Sequence, residues 1–168
     1  MIAKSGENFG RCLQCLTCAG GCPVAEAMRY RPNGIIRLVQ YGLAQEVLEA
    51  PDIWLCMGCN TCSIACPQGI DIPALMDALR ETAIEEKARI AEPAILGFHR
   101  AVLHSIQKYG RTHKLEIMMR HKLSQRDLFS DMDIGLKMLA KRKLDLLPSK
   151  ITRPETIQNL FREFGERD

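Results

Sequence analysis

Apolar residues in this chain recur every three or four positions, and alternating strand patterns are absent. From Asn33 and Gly34 onward, Ile35, Leu38, Val39 and Leu43 lie near helical spacing, with Gly42 as an interruption and Pro51 as a stop. Asp52 is placed to cap a short turn carrying Ile53, Trp54 and Leu55. Asp71 and Pro73 signal the start of a longer helix, and Ile72, Leu75, Met76, Leu79 and Ala83 form one apolar stripe along it. Pro93 opens a segment with Ile95, Phe98, Val102 and Ile106 in register, and Gly110 is placed to end it. Shorter helices are predicted around residues 115–123 and 134–141. Thr152 and Glu155 then make a capping-box pattern ahead of Ile157, Leu160, Phe161 and Phe164, closed by Gly165. The predicted fold class is all-α.

All eight cysteines fall into two copies of one pattern. Cys12, Cys15, Cys18 and Cys22 precede Pro23, and Cys56, Cys59, Cys62 and Cys66 precede Pro67, each position offset by 44 residues. C-x2-C-x2-C-x3-C-P is the run that wraps a cubane iron–sulfur cluster, and in two-cluster ferredoxins its fourth cysteine ligates the other cluster. Two [4Fe-4S] clusters are therefore expected. Cys12, Cys15, Cys18 and Cys66 are predicted to hold one, and Cys56, Cys59, Cys62 and Cys22 the other, which consumes every cysteine and leaves none for thiol catalysis. Pro23 and Pro67 lack a backbone donor and suit the opening of a helix after the last ligand. Gly20, Gly21 and Gly58 permit close backbone approach to the cluster sulfides.

Competing cysteine chemistries fit less well. A disulfide framework belongs to secreted chains, and Met1 to Arg11 has no apolar core of a signal peptide. Structural zinc prefers separated C-x2-C pairs, which three equally spaced cysteines do not supply.

Charge divides the chain. Residues 1–96 carry 8 Lys+Arg against 11 Asp+Glu, a balance of −3, whereas residues 97–168 carry 15 against 9, a balance of +6. The basic part could neutralise the cluster-bearing part or dock an acidic partner. Acids interrupt the bases and aromatics are sparse, so no nucleic-acid partner is expected. No apolar run reaches the roughly 18 to 20 residues of a membrane span, so direct membrane insertion is not expected either. Thiolates awaiting clusters favour a reducing, cytoplasmic setting.

Burial lowers a cluster's potential, while amide donors and nearby cations raise it. Arg11, Arg29 and Arg31 flank the first motif and are candidates for that role, and Trp54 is a candidate shield for the second cluster. His99, His104, His113 and His121 lack the paired spacing of a metal or proton-transfer site. Met118, Met119, Met132 and Met138 suit helix packing or an adaptable interface. No Gly-rich phosphate loop follows a strand, so no nucleotide or flavin site is expected.

The stretches CLQCLTCAGGCP (residues 12–23), IIRLVQYG (35–42), DIWLCMGCNTCSIACPQGIDIP (52–73) and the region around LLPSKI (146–151) resemble the C-type (HdrC-like) subunit of heterodisulfide reductase and its relatives. The resemblance implies an α-helical ferredoxin fold. It is akin to the two-cluster domain of succinate dehydrogenase and fumarate reductase iron–sulfur subunits, without the plant-type cysteine run that precedes it there. The charge balance and helical pattern, rather than the resemblance, divide the chain into a dicluster domain over 1–96 and a basic helical extension for partner docking over 97–168. The resemblance implies an electron-transfer role rather than a catalytic one. Single electrons would pass between a flavin- and cluster-bearing A-like subunit and a cysteine-rich B-like subunit that acts on a disulfide or related sulfur substrate. A free-standing dicluster ferredoxin is the alternative. The tail is similar to relatives outside the methanogens, including those of sulfur oxidisers, which leaves the substrate open.

Overall fold

A computed structural model describes residues 6, 8–125, 137, 138, 141, 151 and 154–164. Among the described residues every regular element is helical, as expected of an all-α chain. The chain divides into two compact units, Met1–Glu92 and Pro93–Asp168.

The first unit is assembled from short pieces. A 3-10 turn, Phe9–Arg11, is followed by α1 (Thr17–Gly20), α2 (Pro32–Gln40), α3 (Ala44–Leu48), α4 (Asp52–Leu55), α5 (Thr61–Ile64) and α6 (Ile72–Glu85). Isolated four- and five-residue helices have no stability of their own, so packing must hold them. That packing centres on α6, which meets α3, α4 and α5, while α2 closes over α1 and α3. Ile35 and Ile36 of α2, Val47 of α3, Ile53 of α4 and Ile72, Leu75, Met76 and Leu79 of α6 are all essentially inaccessible to solvent. Each such side chain contributes about 1.5–3 kcal/mol of burial free energy.

The ends of the two longer helices follow local chemistry. Asp71 caps α6: its Oδ1 accepts from the Ala74 amide at 3.1 Å and from the Ser63 hydroxyl at 3.3 Å. The same hydroxyl accepts from the Ile72 amide at 3.2 Å, which ties the helix start to α5. Pro73, one residue in, spends no needed donor there. Lys87 ends α6 in a left-handed conformation, φ 54°, with the Lys87 and Ala88 amides donating back to Ile84 and Ala83. This is the paired termination that satisfies the last carbonyls of a helix.

Several boundaries differ from the sequence reading, and among the described residues no helix opens at Pro23 or Pro67. α2 opens at Pro32 rather than at Asn33, because a proline at the first helical position needs no cap and the Asn33 side chain is engaged elsewhere. Gly42 terminates α2 rather than interrupting it. At φ 71° it turns the chain so that its own amide and that of Leu43 reach back to Val39 and Leu38. Asp52 is not a cap either. It lies in the first turn of α4 behind Pro51, fully buried, with neither carboxylate oxygen hydrogen-bonded.

In the second unit α7 (Pro93–Tyr109) packs against both α8 (Lys114–Gln125) and α9 (Pro154–Phe164). The buried line of α7 is Ala101, Ser105 and Tyr109, while Phe98 of the expected stripe is exposed. Ser105 satisfies itself by accepting from the His113 amide at 2.7 Å and donating to the Arg111 carbonyl at 3.3 Å. Gly110 ends α7 at φ 72°, as its place in the sequence predicted, and a Cβ there would collide with the Ile151 side chain. Leu146, Leu147, Thr152, Gly165, Met132 and most of the predicted 134–141 helix lie outside the described residues.

Asp71→Ala is expected to destabilise the cluster-loaded protein by about 1–2 kcal/mol through loss of the α6 cap, whereas Asp71→Asn retains most of that stability. Thermal unfolding under anaerobic conditions reads the difference.

Candidate metal centre

The two cysteine runs fold alike. Cys12 ends the 3-10 turn and Cys56 ends α4, both extended, with φ/ψ of −65°/118° and −61°/122°. Left-handed residues then follow at equivalent places: Gln14 and Gly58 at φ 55° and 63°, Leu16 and Asn60 at 65° and 61°. Left-handed residues interleaved with the cysteines curl the loop tightly enough to bring three closely spaced thiols around one cavity, the kind of concavity that backbone N–H groups line for anionic groups. The third cysteine of each run, Cys18 or Cys62, sits inside the one-turn helix α1 or α5 and is buried.

Glycine makes this conformation free at Gly58, but Gln14 and Leu16 each bear a cost of about 1–2 kcal/mol. Gln14 is held in place by Asn33 of α2, donating to its backbone carbonyl at 3.0 Å and accepting from its side-chain Nδ2 at 3.2 Å. Its Nε2 also lies 3.5 Å from Cys12 Sγ.

Two small cavities collect the thiols. The first is lined by Cys12, Cys15, Cys18 and Cys66, with Gln14, Asn33 and Ile36 among its other walls. The second is lined by Cys22, Cys56, Cys59 and Cys62, with Pro32, Met28 and Met76 beside them. Each cavity thus takes three cysteines from one run and the last from the other. Ile72, which is 1% exposed, lines both. All eight thiols are free of disulfides. Among the described residues no three His, Cys, Asp or Glu side chains lie close enough to share a single metal ion. Four thiols spread around a cavity are instead suited to a polynuclear group whose metal corners lie apart.

The thiols are tuned in matching pairs. Thr17 Oγ1 is 3.3 Å from Cys15 Sγ, and Thr61 Oγ1 is 3.5 Å from Cys59 Sγ. These hydroxyls hold both exposed thiols below their ordinary value. Burial pushes Cys18 up, and pushes Cys62 up to about 11, with the neighbouring Cys12 and Cys56 adding to the rise. Four thiolates crowded at one cavity need a cationic group among them, and the iron of a cluster would supply it.

Other expected residues fall differently. Trp54 is 3% exposed in the core, lines neither cavity, and leaves its indole N–H without a partner. Arg11, Arg29 and Arg31 are exposed; Arg11 donates to the Gly69 carbonyl at 3.3 Å and Arg29 faces Glu46 at 4.0 Å. The four histidines belong to the second unit, where His121 stacks edge-on to Phe98 and His104 lies 2.8 Å from Arg120. One charged residue near the second loop was not singled out from the sequence. Arg80 of α6, 14% exposed, donates through Nε to the Ile53 carbonyl at 2.6 Å and through an Nη to the Cys56 carbonyl at 2.5 Å.

Residues 8–70 match the model of a family described as a 4Fe-4S dicluster domain. The chain is 34% identical over 108 residues to the C-type subunit of the H2:CoB-CoM heterodisulfide,ferredoxin reductase of Methanothermobacter marburgensis, covering 64% of this chain and 55% of that one. It is 39% identical over 75 residues to the C-type iron–sulfur subunit of the CoB–CoM heterodisulfide reductase of Methanopyrus kandleri, covering 45% and 39%. It is 30% identical over 116 residues to the C-type subunit of the ferredoxin/F420H2-dependent CoB-CoM heterodisulfide reductase of Methanosarcina acetivorans, covering 69% and 68%. The chain spans about half the length of the Methanothermobacter relative and two thirds of the Methanosarcina one. With eight free cysteines in a dicluster domain, the cofactors are two [4Fe-4S] clusters.

Because the second run carries asparagine where Leu16 stands, Leu16→Asn is expected to stabilise the loaded protein by about 1 kcal/mol, and Gly58→Ala to destabilise it by about 1–2 kcal/mol. Anaerobic thermal unfolding checks both signs.

Proposed function

The chain belongs to the family of C-type heterodisulfide reductase subunits, and on that premise we propose that it is the electron-transfer subunit of a heterodisulfide-reductase-like complex. In this reading Cys12, Cys15, Cys18 and Cys66 hold one cluster, and Cys56, Cys59, Cys62 and Cys22 hold the other. The observation that carries it is the four-and-four lining of the two cavities, which leaves no thiol over for substrate chemistry.

When bound, each cluster accepts and returns one electron at a time. The polypeptide's part is to hold, separate and tune. The paired runs fix the thiolates, Ile72 forms a dry partition between the two cavities, and Ile36, Met28 and Met76 keep the inner walls apolar. The outer edges are open. Cys15 and Cys59 are exposed, and each is bordered by apolar side chains that invite a close-fitting partner: Leu13 and Leu16 at the first, 66% and 57% exposed, and Met57 at the second, 69% exposed. One exposed edge per cluster suits a relay in which electrons enter at one end and leave at the other.

The partners we assign are a flavin- and cluster-bearing A-like subunit and a cysteine-rich B-like subunit, the latter acting on a disulfide or related sulfur compound. A disulfide couple needs two electrons, which the relay would deliver singly. The basic residues 97–168 are assigned to docking; in support, Leu160 of α9 is 46% exposed beside the partly buried Ile157 and Phe161. Among the described residues no helix is long and apolar enough to cross a membrane. We place the complex in the cytoplasm, where free thiols persist.

Anaerobic affinity purification with mass spectrometry is expected to recover the A-like and B-like subunits with the chain. A monomer that shuttles electrons catalytically without them would instead identify a free-standing carrier. Cys22→Ser is expected to disturb the EPR signal of the cluster otherwise held by the second run, and Cys66→Ser that of the first. Loss confined in each case to the run's own cluster would overturn the crossed assignment.

A further inference from the structure

The repeat of 44 residues makes Phe9 and Ile53 counterparts, each three residues ahead of the first cysteine of its run. Both backbone carbonyls accept a hydrogen bond from a side chain of a longer helix, but the donors differ in charge. Phe9 receives the neutral amide of Gln40 from α2 at 2.8 Å. Ile53 receives the guanidinium of Arg80 from α6, which extends a further donor to the carbonyl of Cys56 itself.

An arginine carries a fixed positive charge, and here it is withdrawn from water. Its acidic partner Asp77, 2.9 Å away, is 68% exposed, so solvent screens that carboxylate far more than the guanidinium, and the buried Asp52 carboxyl, one residue before Ile53, makes no hydrogen bond to it. Apart from the cysteines, no lining residue of either cavity bears a charge. The first cavity has compensating features, but weaker ones. The Gln14 amide donates to Cys12 Sγ only at 3.5 Å and is shared with Asn33, while Arg11 is solvent-exposed. A buried unit charge outweighs a long neutral hydrogen bond and a screened surface charge.

We propose that Arg80 is a positioning and potential-setting residue for the second cluster, fixing the loop that bears Cys56 and raising that cluster's reduction potential above the first's. Adding an electron adds negative charge, and a cation held beside the ligand loop favours that state. With both clusters bound, one electron would pass from the first site, which is oxidised, to the second, which is reduced, with no proton required. The second site would then be the outlet, and the first the inlet for an external one-electron donor. This rests on the presence of both clusters, and it does not depend on the crossed ligand assignment, since Cys56 belongs to the second cluster under either pairing.

The test is an EPR-monitored redox titration of the complete, cluster-loaded chain with parallel iron analysis. In Arg80→Gln, which copies the neutral donor of the first run, the higher of the two potentials is expected to fall by about 59 mV, a tenfold change for a one-electron couple, with the lower unmoved. Arg80→Lys is expected to restore most of the fall. In Gln40→Lys the other potential is expected to rise; the Gln40 carbonyl oxygen that this removes has no hydrogen-bond partner. Full iron with unmoved potentials in Arg80→Gln overturns the proposal, as does a lysine variant no better than the glutamine. If Arg80→Gln does not retain its second cluster, Gln40→Lys decides, and no rise there overturns the proposal. A low iron count in the unaltered protein is a separate outcome, the failure of the two-cluster reading, and it removes the inference too.

Discussion

Eight thiols have to be kept apart around two cavities by loops and one-turn helices, and this constraint organises the first unit. Thiols in apolar surroundings resist ionisation, which is visible in the upward push on Cys18 and Cys62. Gathering four of them is favourable only with cationic metal among them. The protein meets the demand with two copies of one loop, each tightened by left-handed residues and each anchored by a turn of helix. The two copies share a wall. Ile72 serves both cavities, and the last cysteine of each run lines the cavity of the other, so the two sites share part of the core.

That arrangement explains why the hub is α6 rather than either cysteine loop. Its start is tied to α5 through Asp71 and Ser63, its first residue is the partition, and its middle supplies Met76 to one cavity and Arg80 to the loop before Cys56. A single fourteen-residue helix thereby lines both sites and braces the second loop. The asymmetry between Gln40 and Arg80 matters for the same reason. Two near-identical loops would give two near-identical potentials, and unlike surroundings separate them, while the external donor and acceptor set the overall direction.

Much of this was legible in the sequence because the signals are local. The cysteine spacing named the cofactor, Asp71 and Pro73 marked the start of α6, Gly110 marked the end of α7, and the missing alternation excluded strands. The rest depends on what surrounds a residue. Gln14 and Leu16 adopt left-handed backbone without the glycine that would signal it, and only alignment of the two runs at Gly58 and Asn60 suggests the conformation. Gly42 read as an interruption because Leu43 kept the helical period, yet a glycine free to take positive φ ends a helix readily. The tuning arginines were sought beside the first run, where Arg11, Arg29 and Arg31 are near in sequence but lie in water. Arg80 is 24 residues from Cys56 and reaches it only through the fold. Trp54 illustrates the reverse case: closeness in sequence to Cys56 did not put its ring at the cavity.

The most direct measurement is joint quantification of iron, acid-labile sulfide and alkylatable thiol in anaerobically isolated, folded protein. Eight irons and eight sulfides per chain, with no cysteine reactive until the protein is unfolded, is the expected result. About half that iron, together with an accessible cysteine whose alkylation stops sulfur chemistry, would contradict a chain whose thiols serve only as ligands.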